Sequence, residues 1–382
     1  MLQSITITFT GFIMRKIYAA ILLTLAFMAS HQGNGQSLKP QFDRNEYADM
    51  LWLQFYALSD SLPAGSTFKL NSGTFTKVFS SPEVGLYNKC VIFQREDGVV
   101  VLELRGTVNK PESWLENFYA AMVPAQGSLQ LTSDYTFQYK LAEHENAAVH
   151  VGWLLGTGFL SRAYLPVLDS LVQKGNHHII VTGHSQGGAL AFLNTSFLHY
   201  YYKAKQQPVV LKTYASAAPK PGNQFYAYDF DFVTRNGMGF RVVNAADWVP
   251  ETPFSLQTLK DYNAVNPFTD AKATIRKQKF FVRLYMNNVY KKLDGSSAKA
   301  ARKFRKYLGE KMYTLASKSL PGYEKPSLNF SMNYATAGTP IVLPTDSAYH
   351  QHFTFDGKNV FVHHMYKPYV HLLDQYYPVS KN

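Results

Sequence analysis

The chain has 382 residues, 46% of them hydrophobic, including 26 Tyr and 27 Phe. That composition excludes a disordered or fibrous protein and suffices for one large core or two modest ones. Its 38 basic and 26 acidic side chains give a formal charge of +12, which favours anionic partners such as lipid headgroups and says nothing about fold. Cys90 is the only cysteine, so no intrachain disulfide can form.

Residues 1–36 read as an export leader. Arg15 and Lys16 follow Met14, an apolar run covers Ile17 to Ala29, and small residues come after it, the layout of a secretory signal. Residues 1–13 would then be an upstream start-site overcall. An uncleaved anchor is the competing reading, and no later stretch is long and apolar enough to cross a bilayer. Residues 37–382 are expected to form one domain that is periplasmic or secreted.

Within that domain, "FDRNEYADMLWLQFYALSD" predicts a helix with Asp43 as N-cap and Glu46 as its capping-box partner. "KCVIFQRE" and "VVVLELRG" predict two strands around the Glu96-Asp97-Gly98 turn. Phe159, Ala163, Leu168 and Leu171 fall at helical spacing over residues 157–174, ended by Gly175. "HHIIVTG" then reads as a strand, "GGALAFLNTSFLHYYYKAK" as a helix, and "VVLKTYASAA" and "FRVVNAA" as two more strands. Apolar strands alternating with helices imply an α/β fold, with a mostly parallel sheet covered by helices on both faces. Residues 120–148 carry no readable role.

A basic helical insertion is expected at about 268–325. Between Lys272 and Lys311 there are thirteen Lys or Arg against two acids, Asp294 and Glu310. "KQKFFVRLYMNNVYKKL" and "AKAARKFRKYLGEKM" predict a solvated helical hairpin covering the core. The alternative is an amphipathic surface in peripheral contact with anionic lipid. No nucleic-acid motif accompanies the charge, so a nucleic-acid partner is not expected.

The stretch "IIVTGHSQGGAL" carries the chemistry. A strand running into Gly183-His184-Ser185-Gln186-Gly187 and then a helix is the context of a nucleophile elbow, where a serine sits on a strained turn. The positions two before and two after it need almost no side chain, and Gly183 and Gly187 satisfy this. The following helix points its free N–H groups at an anion beside Ser185. His184 reads as a structural hydrogen-bonding residue, its side chain directed away from Ser185.

"VTGHSQGGAL" resembles the elbow of the class 3 lipases, an α/β-hydrolase family of serine esterases. "LELRGT" at 102–107, "VHVGW" at 149–153 and "RVVNAADWVPETP" at 241–253 are similar to further family motifs in the same order, over roughly residues 90–255. The resemblance and the chemistry agree on the oxyanion donors. One is the N–H of Gln186, directly after the nucleophile. The other is Thr107, whose N–H and hydroxyl could both serve.

A serine nucleophile needs a base, and the base a carboxylate. Asp247, at the end of "FRVVNAA", is the expected acid, whereas Asp229 and Asp231 lie in a Tyr-rich stretch read as loop. "HHMYKPYVHLLDQYY" is similar to the C-terminal motif of plant-type members, which implies His364 as base. Met365 and Lys367 depart from that motif, so His363 remains the alternative. His371 would cap or pack on a helix, and His350 with His352 do not amount to a metal site. The resemblance also implies a lid between Thr107 and "VHVGW", with Trp114, Leu115 and Phe118 on one helical face; an ordinary surface helix is the other reading.

These residues imply a serine hydrolase cleaving esters of acyl lipids, with no metal or organic cofactor. A phospholipase A1 or short-chain esterase is the alternative substrate reading. A catalytically silent lipid-binding protein is the alternative of another class. Oligomeric state is left open.

Overall fold

The structure, a computed structural model, describes residues 38–59 and 61–379; the leader expected at 1–36 lies outside the described residues. In chain order come α1 (Arg44–Trp52), β1 (Thr67–Lys69), β2 (Thr74–Ser80), β3 (Cys90–Arg95), β4 (Val100–Leu104) and α2 (Pro111–Phe118). Next are β5 (Met122–Pro124), β6 (Gln126–Thr132), β7 (Tyr135–Lys140), β8 (Ala148–His150), α3 (Val151–Gln173), β9 (His178–His184) and α4 (Gln186–Ala204). Then follow β10 (Val210–Ser216), β11 (Gly222–Asn223), α5 (Gln224–Val233) and β12 (Gly239–Asn244). The remainder holds α6 (Ala271–Arg276), α7 (Phe280–Arg305), α8 (Lys311–Ser319), β13 (Tyr334–Ala335), β14 (Thr339–Leu343), α9 (Ser347–His352) and α10 (Tyr366–Tyr376).

Eight strands make one sheet in the order β1-β2-β3-β4-β9-β10-β12-β14. From β4 through β14 every neighbouring pair is parallel, and β1 to β4 pair antiparallel. Adjacent strand residues feed opposite cores, which is why the strands are apolar at nearly every position. Leu102, Ile179 and Val181 pack with α3 and α4, while Val101, Ile180 and Val242 pack with α1 and α10. The α/β-hydrolase expectation therefore holds, and the C-terminal ends of β4, β9 and β12 face one edge, the usual ligand-binding edge of such a sheet.

Several expectations change. α3 begins at Val151, earlier than its apolar spacing suggests, because the His150 side chain caps it by accepting from Trp153 N–H. Asp229 and Asp231 lie on α5, not in a loop; they accept from Tyr200 and from the Gly338 N–H, respectively. Residues 120–148 hold the β6–β7 hairpin, whose Leu129, Leu131 and Phe137 join the core under α3. The expected hairpin in the basic region is one continuous helix, α7, in which only Ala301 is buried. Only its C-terminal end reaches the core, where Ala301 packs with Met122, Ala148 and Tyr334. Gly295 weakens it by about 1 kcal/mol, too little to end a helix with no proline behind it.

Asp43 caps α1 by accepting from the N–H groups of Asn45 and Glu46. Glu46 is no capping-box partner: its carboxylate turns inward to Lys212 at 2.6 Å, Arg95 at 3.1 Å and the Tyr214 hydroxyl at 2.8 Å. Lys212 is itself buried, so burial rewards this geometry over the exposed cap. Removing one partner of a buried pair leaves an uncompensated charge. Glu46→Ala should lower unfolding free energy by about 3–5 kcal/mol, read from urea denaturation. A loss of under about 1 kcal/mol, the size of an exposed pair, would refute this.

Candidate active site

Ser185 stands between β9 and α4 with φ 62° and ψ −128°. This sparsely populated conformation persists only where its surroundings hold it. Its N–H donates to Ser216 O at 2.9 Å, and both flanks are packed against β4. A Cβ on Gly187 would run into the Leu104 carbonyl, and one on Gly183 into Gly187. The two glycines are thus required by close backbone approach.

Asp247 follows β12 and is buried. Its Oδ2 accepts from His364 Nδ1 at 2.7 Å and from the Tyr369 hydroxyl at 2.8 Å, and its Oδ1 accepts from Val249 N–H at 3.1 Å. His364 Nδ1 is therefore committed, which leaves Nε2 for the serine. Ser185 and His364 line the same cleft, of about 910 Å³. His363 points elsewhere: its Nδ1 meets the Tyr349 hydroxyl at 2.9 Å, and it is not part of that cleft wall. His371 stacks on His352, with ring centroids 5.3 Å apart. Among the described residues no cluster of three or more His, Cys, Asp or Glu could hold a metal.

His184 braces the backbone of His364. Its Nε2 lies 2.6 Å from the His364 carbonyl and its Nδ1 3.0 Å from Ser216 Oγ, which in turn lies 2.8 Å from the Tyr47 hydroxyl. Burial, with His364 beside it, holds the His184 imidazole well below the usual histidine range.

Thr107 and Gln186 lie together beside Ser185. The Thr107 hydroxyl donates to Gln186 Oε1 at 2.6 Å and accepts from Asn117 Nδ2 at 2.9 Å. That proton is committed, so of the two donors expected from Thr107 the backbone N–H is the one left. Gln186 Nε2 donates to Glu116 Oε1 at 2.9 Å, and Asn88 Nδ2 donates to Glu116 Oε2 at 2.5 Å. Glu116, fully buried, was not foreseen; burial pushes its carboxyl up to about 8. Asn117, Asn88 and Tyr369 were missed as well. A Glu-Asn pair on a short amphipathic helix looks like solvent-facing polarity, and nothing local signals otherwise.

The three residues expected on a lid divide. Trp114 and Phe118 border the cleft, Phe118 being 57% exposed, whereas Leu115 packs on the core. The inward side of α2 is polar, made by Ser113 and Glu116. Trp114 meets Phe361 and Phe361 meets Trp248, with centroids 6.2 and 5.5 Å apart, so aromatic rings edge the opening from α2 to the loop carrying His364. A second cleft of about 720 Å³ lies against α7 and contains none of the triad.

A serine on a strained strand–helix turn, with a histidine–aspartate pair on the same cleft, defines the α/β-hydrolase class. Residues 101–257 match the family described as Lipase (class 3). The lipase of Rhizopus niveus is 34% identical over 111 residues, 28% of this chain and 27% of that protein. Triacylglycerol lipase OBL1 of Ricinus communis is 34% identical over 119 residues, 29% of this chain and 22% of that protein. The matched stretch thus spans about a quarter of these relatives. Lip2 lipase from Yarrowia lipolytica superposes with TM-score 0.42 and 19% identity, over 57% of this chain and 78% of that one.

The raised Glu116 pKa has a sign that can be checked. The folded state holds this proton up to about 8, while an exposed glutamate releases it near 4.3. Between these values unfolding releases a proton, so stability falls as pH rises. Glu116→Gln should remove a slope of up to about 1.4 kcal/mol per pH unit, read from thermal unfolding at pH 5 to 8. Identical pH dependence in both proteins would refute this assignment.

Proposed function

We propose that the chain is a carboxylic ester hydrolase acting on acyl lipids through Ser185, His364 and Asp247. The observation that carries this is the Asp247–His364 hydrogen bond of 2.7 Å on the cleft that Ser185 also lines. His364 Nε2 takes the Ser185 proton as Oγ attacks the acyl carbon. The developing oxyanion is held by the N–H groups of Gln186 and Thr107. His364 then gives its proton to the leaving alkoxide, and the alcohol departs. Water, deprotonated by the same nitrogen, attacks the acyl-serine; collapse returns the proton to Oγ and frees the fatty acid. Asp247 keeps the imidazole oriented and stabilises its charged form throughout. Every group in this scheme belongs to the chain.

The cleft walls favour an acyl chain. Phe55, Leu58, Phe118, Trp153, Phe254 and Leu308 line them, enough apolar surface to bury a substantial alkyl group. Triacylglycerol fits this reading, with phospholipid or short-chain esters as alternatives within it, and contact with an anionic lipid surface belongs to the same proposal. Export belongs to the same proposal and rests on the leader-like sequence of residues 1–36; no helix among the described residues is long and apolar enough to cross a membrane.

The test is hydrolysis of p-nitrophenyl esters of increasing acyl length, with fluorophosphonate labelling alongside. Ser185→Ala and His364→Ala should each lower kcat at least about 10³-fold, and His363→Ala should stay close to the unsubstituted rate. If His363→Ala is the dead variant, the base is misassigned. If the unsubstituted chain neither turns over nor labels, a silent lipid-binding protein replaces the hydrolase.

A further inference from the structure

α7 runs 26 residues, about 39 Å at 1.5 Å per residue, and its N-terminal half leaves large apolar side chains exposed on the side away from the body. The side toward the body carries Arg283, Tyr290, Asp294, Ser297 and Phe304, partly buried, with Ala301 the only fully buried residue. The outward side begins with Phe281, Leu284 and Tyr285, which are 82%, 62% and 71% exposed. Two turns later the same side is cationic, with Lys292, Lys299 and Arg302 exposed at helical spacing. An outward apolar patch of this kind marks a contact site rather than a solvated face.

From this face we infer that α7 is a docking element for an anionic lipid surface. Charge selects that occupant. From Lys272 to Lys311 thirteen cations oppose two acids, so a second copy of the same face would meet strong like-charge repulsion, whereas an anionic leaflet attracts each cation. Aromatic rings suit the headgroup boundary, and long Lys and Arg stems let the charges stay among the phosphates. A protein partner would need its own acidic, apolar groove; a leaflet supplies both properties at once.

Position adds a functional reason. The C-terminal end of α7 is fixed to the cleft wall. Ala301 packs with Met122, Ala148 and Tyr334, and Phe304 meets Phe254, with ring centroids 6.1 Å apart. Just beyond, the Leu308 carbonyl accepts from Ala121 N–H at 2.9 Å. Phe254, Leu308 and the exposed Phe118 all border the catalytic cleft. A leaflet held by α7 therefore lies at the rim where an acyl ester enters. The docking deepens the lipid-ester reading and rests on it for its purpose, but the binding itself requires no turnover.

The test uses the full chain as Ser185→Ala, co-sedimented with phosphatidylcholine vesicles with and without phosphatidylglycerol. Binding should be at least about tenfold tighter to the anionic vesicles and should weaken with added salt. Phe281→Ser with Leu284→Ser, and separately Lys292→Glu with Lys299→Glu, should each weaken it about tenfold or more. The same pairs on the unsubstituted serine should leave hydrolysis of a soluble short-chain ester intact, which shows that the fold survives. Equal binding to neutral and anionic vesicles, or unchanged binding by both pairs, overturns the proposal. So does light scattering that shows a dimer converted to monomer by the apolar pair. Anionic binding that depends on α7 in a chain without esterase activity would retain the docking and reject the hydrolase.

Discussion

Everything at the site depends on how closely α4 approaches β4 across the end of β9. The turn at Ser185 holds a φ of 62°, a conformation that costs about 1–3 kcal/mol for a residue with a side chain. Three things hold it there: the Ser185 N–H bond to Ser216 O, the start of α4, and the absence of side chains at Gly183 and Gly187. Because the backbone at Gly187 touches the Leu104 carbonyl, Thr107 at the end of β4 and Gln186 at the start of α4 come to one place. The placement of the two proposed oxyanion donors is thus a consequence of the packing that strains Ser185.

The base is located by a second constraint, a chain of hydrogen bonds whose direction can be derived. A backbone carbonyl only accepts, so His184 Nε2 must be the protonated nitrogen toward His364 O. With the ring kept neutral by burial, Nδ1 is an acceptor and takes the Ser216 hydroxyl proton. Ser216 Oγ then accepts from Tyr47, whose phenol is itself pushed upward by burial. The result is a neutral line from α1 through β10 and β9 to the backbone of His364. It fixes that loop from behind while Asp247 and Tyr369 fix the imidazole from the side. A cationic His184 would offer a second donor where Ser216 already supplies one, so burial serves orientation.

What could be read from the sequence was whatever short-range chemistry imposes. Paired glycines, the apolar strand before them and Asp247 after "FRVVNAA" are local demands, and the elements around them form where periodicity puts them. The C-terminal register was harder, because His363 and His364 differ by one position and their separation depends on Asn244 holding the His363 carbonyl. Glu46 was misread and Glu116 passed over for a shared reason: each looks like a helix-surface acid, and only tertiary partners at distant positions turn it inward. Leu115 fails in the same way, since helical spacing groups it with Trp114 while the core lies on its other side. The expected hairpin left residues 294–297 between its two quoted stretches, yet none of Asp294, Gly295, Ser296 and Ser297 forbids helical dihedrals, and α7 runs through them.

The cleft is therefore built from two materials with opposite requirements. Its floor is a satisfied polar layer in which Glu116, Gln186, Thr107, Asn117 and Asn88 consume one another's donors and acceptors. Such a layer is rigid because each missing partner leaves a buried polar group unpaired. Its rim is aromatic, Trp114, Phe118, Phe361 and Trp248, joined mainly by ring contacts that can rearrange, with one hydrogen bond from Trp248 Nε1 to the Val360 carbonyl at 2.8 Å. α2 belongs to both, since Glu116 and Asn117 anchor it to the floor while Trp114 and Phe118 form the rim. Swinging α2 away as a rigid body would break the floor and with it the support of Gln186 and Thr107. Opening is accordingly easier by rotamer changes at the rim than by displacement of the helix, and Gln186 and Thr107 stay in place while the mouth adapts.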